Sequence, residues 1–161
     1  MTDPQIHAAG AGKSVSVRQD ERRLVGRALA CWEEVRGERP FPDRNDFDTV
    51  FRDRLDGSIF LVAIGGSEDT DHVVESDNAL IEALGLDPVG RKVIDVLPSA
   101  TEKGLSFCRT AADLKKPIAD VGHFTNAEGE DVYYRSVLLP LSDDQVNINY
   151  LLGAFSFKTV N

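Results

Sequence analysis

The side chains of this 161-residue sequence that could act as acids, bases or nucleophiles do not show a recognised catalytic spacing. Catalysis requires an acid, a base or a nucleophile, held together in an apolar pocket. Asp120, Glu75 and Asp77 are candidate carboxylates, and the candidate proton donors are Tyr133, Tyr134 and Tyr150. No spacing places any two of these side chains together, and most of the 27 acidic residues are expected on a solvated surface. The sequence therefore predicts a protein that is not an enzyme.

The three histidines do not have the spacing of a metal site. Metal sites need several ligands at close and fixed spacing, and no HxH or HxxxH pair occurs. On a predicted strand, His123 alternates with Ala119, Val121 and Thr125, which makes it a candidate to point into an internal cavity. A structural histidine with satisfied hydrogen bonds is the alternative interpretation. The sequence predicts no metal site.

A short glycine-containing segment near the N-terminus, Gly12-Lys13-Ser14, has the ending of a phosphate-binding loop. The full motif needs a glycine five residues before Gly12, where this chain has His7. It also needs a strand before the loop and a helix directly after it, so that backbone amides meet the phosphates. The sequence predicts neither element there, so we interpret the match as chance.

Composition and charge indicate which classes of protein and of binding partner this sequence excludes. The formal net charge is −9, and an acidic surface repels nucleic-acid phosphates and anionic lipid. No stretch approaches the roughly 18 to 20 apolar residues of a membrane-spanning helix, and the first 17 residues lack the apolar core of a signal peptide. Cys31 and Cys108 form neither a disulfide framework nor a CxxC metal site. A cytoplasmic protein that binds neither nucleic acid nor membrane is expected.

The first predicted element is a helix over residues 20–36, preceded by a flexible tail over residues 1–19. Apolar residues recur at three- and four-residue spacing on one face of this helix: Leu24, Ala28, Cys31, Trp32 and Val35. Gly37 follows where a C-cap glycine is expected, and Pro40 and Pro42 prevent continuation. One or two helical turns are predicted within residues 44–56.

The rest of the chain alternates strand patterns with short helices. A strand that is apolar at every position, residues 58–64, needs cover on both faces. A second strand lies near residues 72–75, followed by helical segments at 76–85, 87–97 and 100–114. Three strands then follow at 117–125, 132–141 and 148–157, joined by loops of hairpin length. The order predicts one α+β domain over residues 20–161 with a five-stranded antiparallel sheet, short helices between strands two and three, and an extra N-terminal helix.

Several segments, taken in order, resemble a bacterial (proteobacterial) subgroup of PAS domains, a family of short and mostly single-domain proteins. They are ACWEEVRG at 30–37, RPFPDRNDF at 39–47, IFLV at 59–62, LG at 84–85 with GR at 90–91, and YR at 134–135 with LLPLS at 138–142. The order and spacing of these segments carry the resemblance, since each is short. Where the family usually has an arginine and a glycine at the end of the second strand, this chain has VVESDN at 73–78.

The resemblance implies a sensory or interaction domain in bacterial signal transduction, often dimeric, with a partly enclosed cavity between sheet and helices. Some members of the superfamily hold haem through one histidine on a helix, whereas His123 lies on a predicted strand. Flavin-photoreactive members carry an Asn-Cys-Arg-Phe signature, and the sequence around Cys108 is Ser-Phe-Cys-Arg-Thr, so that only the Cys-Arg pair agrees. A buried and inert Cys108 is the expected interpretation, and the sequence identifies no cofactor.

If the cavity is open, alternate residues of the sheet should line it: Phe60, Val62, His123 and Tyr134, with Phe107 from the last helix. Apolar and aromatic residues with a few polar groups suit a small, mostly apolar ligand. The same residues can equally form a closed core without ligand. The helix at 20–36 is the predicted homodimer element, and output should pass through self-association or a signalling protein partner. A small isomerase-like α+β enzyme acting on an apolar ketone is the rival interpretation.

Overall fold

A five-stranded antiparallel sheet organises the chain in the computed structural model, which describes residues 12–97 and 107–160. The strands are β1 (Ile59–Ala63), β2 (His72–Ser76), β3 (Ile118–Thr125), β4 (Asp131–Leu141) and β5 (Tyr150–Val160). Their order across the sheet is β2-β1-β5-β4-β3. The β3–β4 and β4–β5 hairpins and the antiparallel pairing of β1 with β5 confirm the predicted α+β class and the predicted sheet.

The N-terminal helix, α1, is longer than the sequence pattern predicted. It runs from Gly12 to Arg36, and not from residue 20, so residues 12–19 of the predicted tail are helical. Residues 1–11 of that tail lie outside the described residues. The Gly12-Lys13-Ser14 segment is therefore helical, contrary to our expectation. Gly37, with φ of +60°, follows the last helical residue as predicted. No helix in the described part of the chain is both long and apolar enough to cross a bilayer.

A second helical stretch, residues 44–54, combines α2 (Arg44–Asp46), a π-helical turn (Phe47–Phe51) and α3 (Arg52–Arg54). Asp43 and Asp46 form a capping box at its start. The Asp43 carboxylate accepts from the Asp46 amide at 3.0 Å, and the Asp46 carboxylate accepts from the Asp43 amide at 2.9 Å. Buried Phe47 and Phe51 fix the turn against the core.

In the described part of the chain, three short helices follow β2: α4 (Asn78–Leu84), α5 (Val93–Val96) and α6 (Phe107–Leu114). Gly85, with φ of +75°, ends α4, and its amide donates to the Ile81 carbonyl. The predicted helix over 100–114 is confirmed for Phe107–Leu114. Its beginning lies outside the described residues.

Helices cover the two faces of the sheet in different ways. The inner face, which carries Phe60 and Tyr134, packs against α4 and α6. The outer face, which carries Tyr133 and Tyr150, is covered by α1 across β4 and β5 and by residues 44–54 beside β2 and β5. The apolar stripe of α1 is buried as predicted: Leu24, Ala28, Cys31 and Trp32. One hydrophobic core therefore extends over both faces.

Trp32 anchors α1 by a buried hydrogen bond from its indole Nε1 to the Pro140 carbonyl, at 2.8 Å. Trp32→Phe removes the donor and leaves that carbonyl without its indole partner. We expect a loss of about 2 kcal/mol in the free energy of unfolding, measured by urea denaturation with far-UV circular dichroism. The exposed Arg27→Gln change on the same helix is the control. Equal stability of both variants would show that the hydrogen bond does not anchor the helix.

Candidate functional site

Between the inner face of the sheet and its helices, the described residues enclose a void of about 20 Å³. Its lining among the described residues consists of Phe60, Leu80, Leu97, Cys108, Tyr134, Ser136, Leu138 and Phe155. A space of this size holds about one water molecule, whereas ligand pockets usually measure roughly 300 to 1,000 Å³.

An aromatic ring lying across a glycine fills one side of the interior. Phe60 of β1 is the cross-strand partner of Gly153 in β5, and a Cβ added to Gly153 would overlap the outer carbons of the Phe60 ring. The missing side chain at position 153 therefore lets the ring lie flat on the sheet. Phe60 is 3% exposed, so its ring occupies space that a ligand would otherwise take.

A second aromatic ring crosses a glycine in the same manner. Tyr134 of β4 is the partner of Gly122 in β3, and a Cβ on Gly122 would lie 3.1 Å from the tyrosine hydroxyl. The Tyr134 ring stacks on Phe155 with centroids 5.5 Å apart. Its hydroxyl donates to the Asp120 carboxylate at 2.7 Å. The structure thus brings together a carboxylate and a phenol that the sequence spacing did not connect.

An ion pair between a buried carboxylate and a partly buried guanidinium holds α6 to the loop between β1 and β2. Arg109 Nη2 donates to both carboxylate oxygens of Asp71, at 2.7 and 2.9 Å. The Asp71 carboxylate also accepts from the Gly65 amide at 2.7 Å, and the Asp71 carbonyl accepts from the Val93 amide at 2.9 Å. The pair thereby joins the loop, α5 and α6, and the neutralised carboxylate can stay buried.

Cys108, next to Arg109 on α6, is 1% exposed, which confirms its predicted burial. Burial raises the pKa of its thiol to about 12, and the Asp71 and Asp120 carboxylates add to the rise more than Arg109 opposes it. A thiol is nucleophilic only as the thiolate. Cys108 therefore contributes volume to the core and no reactive group at neutral pH.

The predicted ligand-binding residues do not all meet in one place. Phe60 and Tyr134 line the internal void. Val62 is fully buried in β1 but is not among the lining residues, and Phe107 is partly buried against the core. His123 lies on the opposite, outer face of the sheet.

The assignment of His123 to the inner side is wrong, because the register of β3 is opposite to the expected one. The partly buried residues of β3 are Ile118, Asp120, Gly122 and Phe124, whereas Ala119, Val121, His123 and Thr125 are exposed. The His123 ring stacks on Tyr133 with centroids 5.1 Å apart. A shift of one residue exchanges the two faces of a strand. The sequence does not reveal that the Tyr134 ring covers Gly122, so it could not indicate which residues of β3 face inward.

Other candidates for chemistry from the sequence have structural partners. Glu75 accepts from Arg44 at 2.7 Å and forms a second ion pair with Arg52. Asp77 accepts from the Gly57 and Ile59 amides, at 2.9 and 3.2 Å. The Arg44 guanidinium lies 5.1 Å from the centre of the Tyr150 ring. These groups fix residues 44–54 on the sheet and do not form an acid–base pair.

A shallow groove on the outer face is the larger candidate site, with a volume of about 520 Å³. We call it the outer groove and define it by its lining residues Val121, Gly122, His123, Tyr133, Tyr134, Arg135, Lys158 and Val160. Val121, Tyr133 and Val160 are 60%, 45% and 44% exposed. No group of three or more potential metal ligands occurs in the described part of the chain.

Comparison with known proteins identifies the fold. No family model and no curated protein matches the sequence. The LOV protein of Rhodobacter sphaeroides is similar in structure with a TM-score of 0.54 and 18% identity, covering 74% of this chain and 69% of that chain. The LOV domain of the blue-light activated histidine kinase of Erythrobacter litoralis EL346 gives a TM-score of 0.50 and 20% identity, covering 66% of this chain and 100% of that chain.

The dark structure of the blue-light photoreceptor Aureochrome1 LOV gives a TM-score of 0.51 with 14% identity, covering 74% of this chain and 86% of that chain. At these identities the similarity shows the fold alone. The fold is of the PAS/LOV type, as the sequence resemblance implied.

Gly153 tests whether the Phe60 ring fills the interior. Gly153→Ala introduces a methyl group that overlaps the Phe60 ring. We expect a loss of roughly 1 to 3 kcal/mol in the free energy of unfolding from overpacking. In a Phe60→Leu background the same change should cost less, which a double-mutant cycle in urea measures. Gly66→Ala is the control, because nothing lies within 4 Å of a Cβ at Gly66. Additive effects in the cycle would contradict the proposed contact.

The thiol of Cys108 should not react while the protein is folded. A pKa of about 12 leaves roughly one thiol in ten thousand ionised at pH 8. Burial also raises the pKa of Cys31. Ellman's reagent should therefore label neither cysteine rapidly in native protein and both in guanidinium chloride. If one equivalent of thiol reacted rapidly in the native state and peptide mapping assigned it to Cys108, that result would contradict the buried position of Cys108.

Proposed function

We propose that this chain is a PAS-type sensory or interaction domain in bacterial signal transduction that receives or passes a signal through protein contacts. The observation that carries the proposal is the contrast between the two faces of the sheet. The described part of the interior encloses a void of about 20 Å³, whereas the outer groove offers about 520 Å³ beside three exposed apolar side chains. The organisation of residues 20–161 as a single domain belongs to the same proposal.

A small-molecule sensor is the second form of this proposal. Phe60 and Tyr134 would contact such a ligand, and Val62 and Phe107 would lie in the surrounding core. The ligand must be very small, or the Phe60 ring must turn away from Gly153. His123 lies on the outer face of the sheet, so it would not contact a ligand in the interior.

Flavin does not fit the described interior. One structural neighbour is a light-oxygen-voltage domain whose mechanism was studied with a flavin analogue. In this chain, Phe60 and Tyr134 fill the space over Gly153 and Gly122. The cysteine on α6 is buried with a pKa of about 12. We therefore derive no photochemical step.

Homodimerisation through α1 is the proposed route of self-association. The side of α1 opposite Trp32 exposes Gly26 and Ala30, one turn apart, and nothing lies within 4 Å of a Cβ at Gly26. Small residues at this spacing allow a second helix to approach closely. The buried stripe of α1 stays on its own sheet, so one helix can serve both contacts.

The enzymatic alternative has one observation in its favour, the 2.7 Å hydrogen bond between Tyr134 and Asp120. A carboxylate and a phenol in contact could exchange a proton with a substrate. The adjoining void holds about one water molecule and not a ketone. If the chain were nevertheless an enzyme, Asp120→Asn and Tyr134→Phe would abolish turnover without unfolding it.

Native mass spectrometry with an absorption spectrum tests the proposal. We expect a colourless homodimer without additional mass, because Phe60 and Tyr134 occupy the described part of the interior. Ala30→Glu, which places a charge on the exposed side of α1, should give monomers, whereas the matched Ala30→Ser should stay dimeric. Circular dichroism checks that both variants fold.

Two outcomes would change the proposal. Additional mass that denaturation releases would make the chain a small-molecule sensor and identify the class of ligand. A wild-type monomer, or an Ala30→Glu dimer, would remove α1 as the element of self-association.

A further inference from the structure

The two edge strands of the sheet, β2 and β3, differ in how they are covered. On β2, the Val73 amide donates to the Arg91 carbonyl at 3.0 Å, and the Val73 carbonyl accepts from the Gly90 amide at 2.8 Å. The pairing of β1 with β2 is also irregular between Leu61 and Val62. Covering segments and bulges keep a sheet edge from pairing with another chain. No backbone group of the described residues pairs with β3 on the side away from β4.

The hydrogen bonds of the β3–β4 hairpin show which backbone groups of β3 point outward. At its closed end, the Asn126 amide donates to the Glu130 carbonyl at 2.8 Å. Residues that bond to the partner strand alternate with residues that do not in an antiparallel ladder, and this ladder continues without a shift in register. Every second residue therefore turns its amide and carbonyl away from β4: Ala119, Val121, His123 and Thr125. All four are exposed, so each offers one donor and one acceptor to an extended chain.

β3 lacks the features by which exposed edge strands usually avoid other chains. Its sequence, IADVGHFT, contains no proline and no lysine, and its pairing with β4 has no bulge. Its carboxylate, that of Asp120, accepts from the Tyr134 hydroxyl on the inner side of the sheet. A regular eight-residue strand of this kind is a template for a further strand.

Opposite charges lie at the two ends of β3. Lys115 and Lys116 precede the strand and form its basic end. Glu128, Glu130 and Asp131 follow it and form its acidic end. All five residues are exposed. Hydrogen bonds to neutral groups, such as that from Lys115 Nζ to a backbone carbonyl at 2.8 Å, do not neutralise these charges.

This charge pattern fits a second copy of the same strand. When two β3 strands pair in antiparallel orientation, the basic end of each lies beside the acidic end of the other. Opposite charges across a contact favour that partner and that orientation. The formal net charge of −9 repels two copies in general, so a contact between copies depends on local complementarity of this kind.

Side chains also match when two β3 strands pair about a two-fold axis beside Val121. The outward-pointing backbone groups of the two strands then meet. On the outer face, Ala119 of each copy lies opposite His123 of the other, and on the inner face Asp120 lies opposite Gly122. No carboxylate is directly opposite another, an arrangement that would destabilise the pair.

We infer that the outward edge of β3 pairs with β3 of a second copy of this chain, in antiparallel orientation about Val121. The two sheets continue as one across the contact, and the pairing ends at two copies because each edge is used once. The contact is additional to the proposed α1 contact and uses a different element, so either can fail without the other. An edge of eight residues gives a smaller interface than stable complexes have, and therefore a weak contact.

Sedimentation velocity of the full chain tests the inference in the Ala30→Glu background, where the proposed α1 contact is removed. We expect monomers at about 10 μM and a substantial fraction of dimers at about 1 mM, as a weak contact requires. Val121→Pro removes an amide that β4 does not use, and proline is tolerated there on an edge strand. It should abolish the dimer at the higher concentration. Tyr133→Ser, on the same face but not at the edge, is the matched control and should leave it unchanged.

Charge reversal separates the contact from any loss of folding. Lys115→Glu with Lys116→Glu makes both ends of β3 acidic, and Glu128→Lys with Asp131→Lys makes both ends basic. Each variant alone should associate at least about tenfold more weakly than the parent, because like ends meet. An equimolar mixture should restore association, since basic ends then meet acidic ends. Misfolded variants could not produce this recovery, and circular dichroism checks the fold of each.

Three outcomes would overturn the inference. The parent stays monomeric at about 1 mM; Val121→Pro and Tyr133→Ser behave alike; or the mixture of charge variants associates no better than each variant alone. The proposed function fails separately. An Ala30→Glu dimer at micromolar concentration removes the α1 contact, and releasable mass in native mass spectrometry shows a bound ligand, while the β3 variants still decide the edge contact.

Discussion

The burial of β1 on both faces is the constraint from which the rest of the structure follows. Ile59, Phe60, Leu61 and Val62 are each at most 3% exposed, and β1 is paired on both edges, with β2 and β5. A strand that is apolar at every position is stable only when both faces are covered. Residues 44–54 and α1 supply one cover, and the helices after β2 supply the other. Within the described residues, this sandwich of helix, sheet and helix encloses a void of about 20 Å³.

The sheet changes character towards β3. There the burial alternates between partly buried and exposed residues, because one face packs on α6 while side chains of the other, such as Val121, are exposed. Gly122 and Gly153 accept the rings of Tyr134 and Phe60, so that aromatic groups close the described inner side. The same sheet thus combines an inner side covered by aromatic rings with an outer side that exposes Val121 and Tyr133.

The elements of this fold follow from sequence patterns, whereas the site depends on contacts between strands that local patterns do not contain. Hydrophobic spacing predicted α1 around Trp32, the doubly buried β1 and the three closing strands. The helical conformation of residues 12–19 was missed, because these residues have no apolar period. The inward register of β3 was missed because its two faces have similar polarity. Asp120 and Tyr134, fourteen positions apart, meet only through the pairing of Gly122 with Tyr134. The sequence pattern also did not predict the ion pair between Asp71 and Arg109, because the two residues lie in separate segments of the chain.

The position of Pro140 in β4 has a consequence for how this sheet meets other sheets. Ile118 pairs with Leu138, so β4 continues past the end of β3, and no described strand pairs with β4 there. Unpaired strand edges invite pairing between chains, which leads to aggregation. Here Leu139 and Leu141 are buried, proline has no amide hydrogen to donate, and the Pro140 carbonyl already accepts from the Trp32 indole. At this position an incoming strand would find no donor and an acceptor that is already occupied. The residue pair that seats the first helix also protects this stretch of β4 from edge-to-edge assembly.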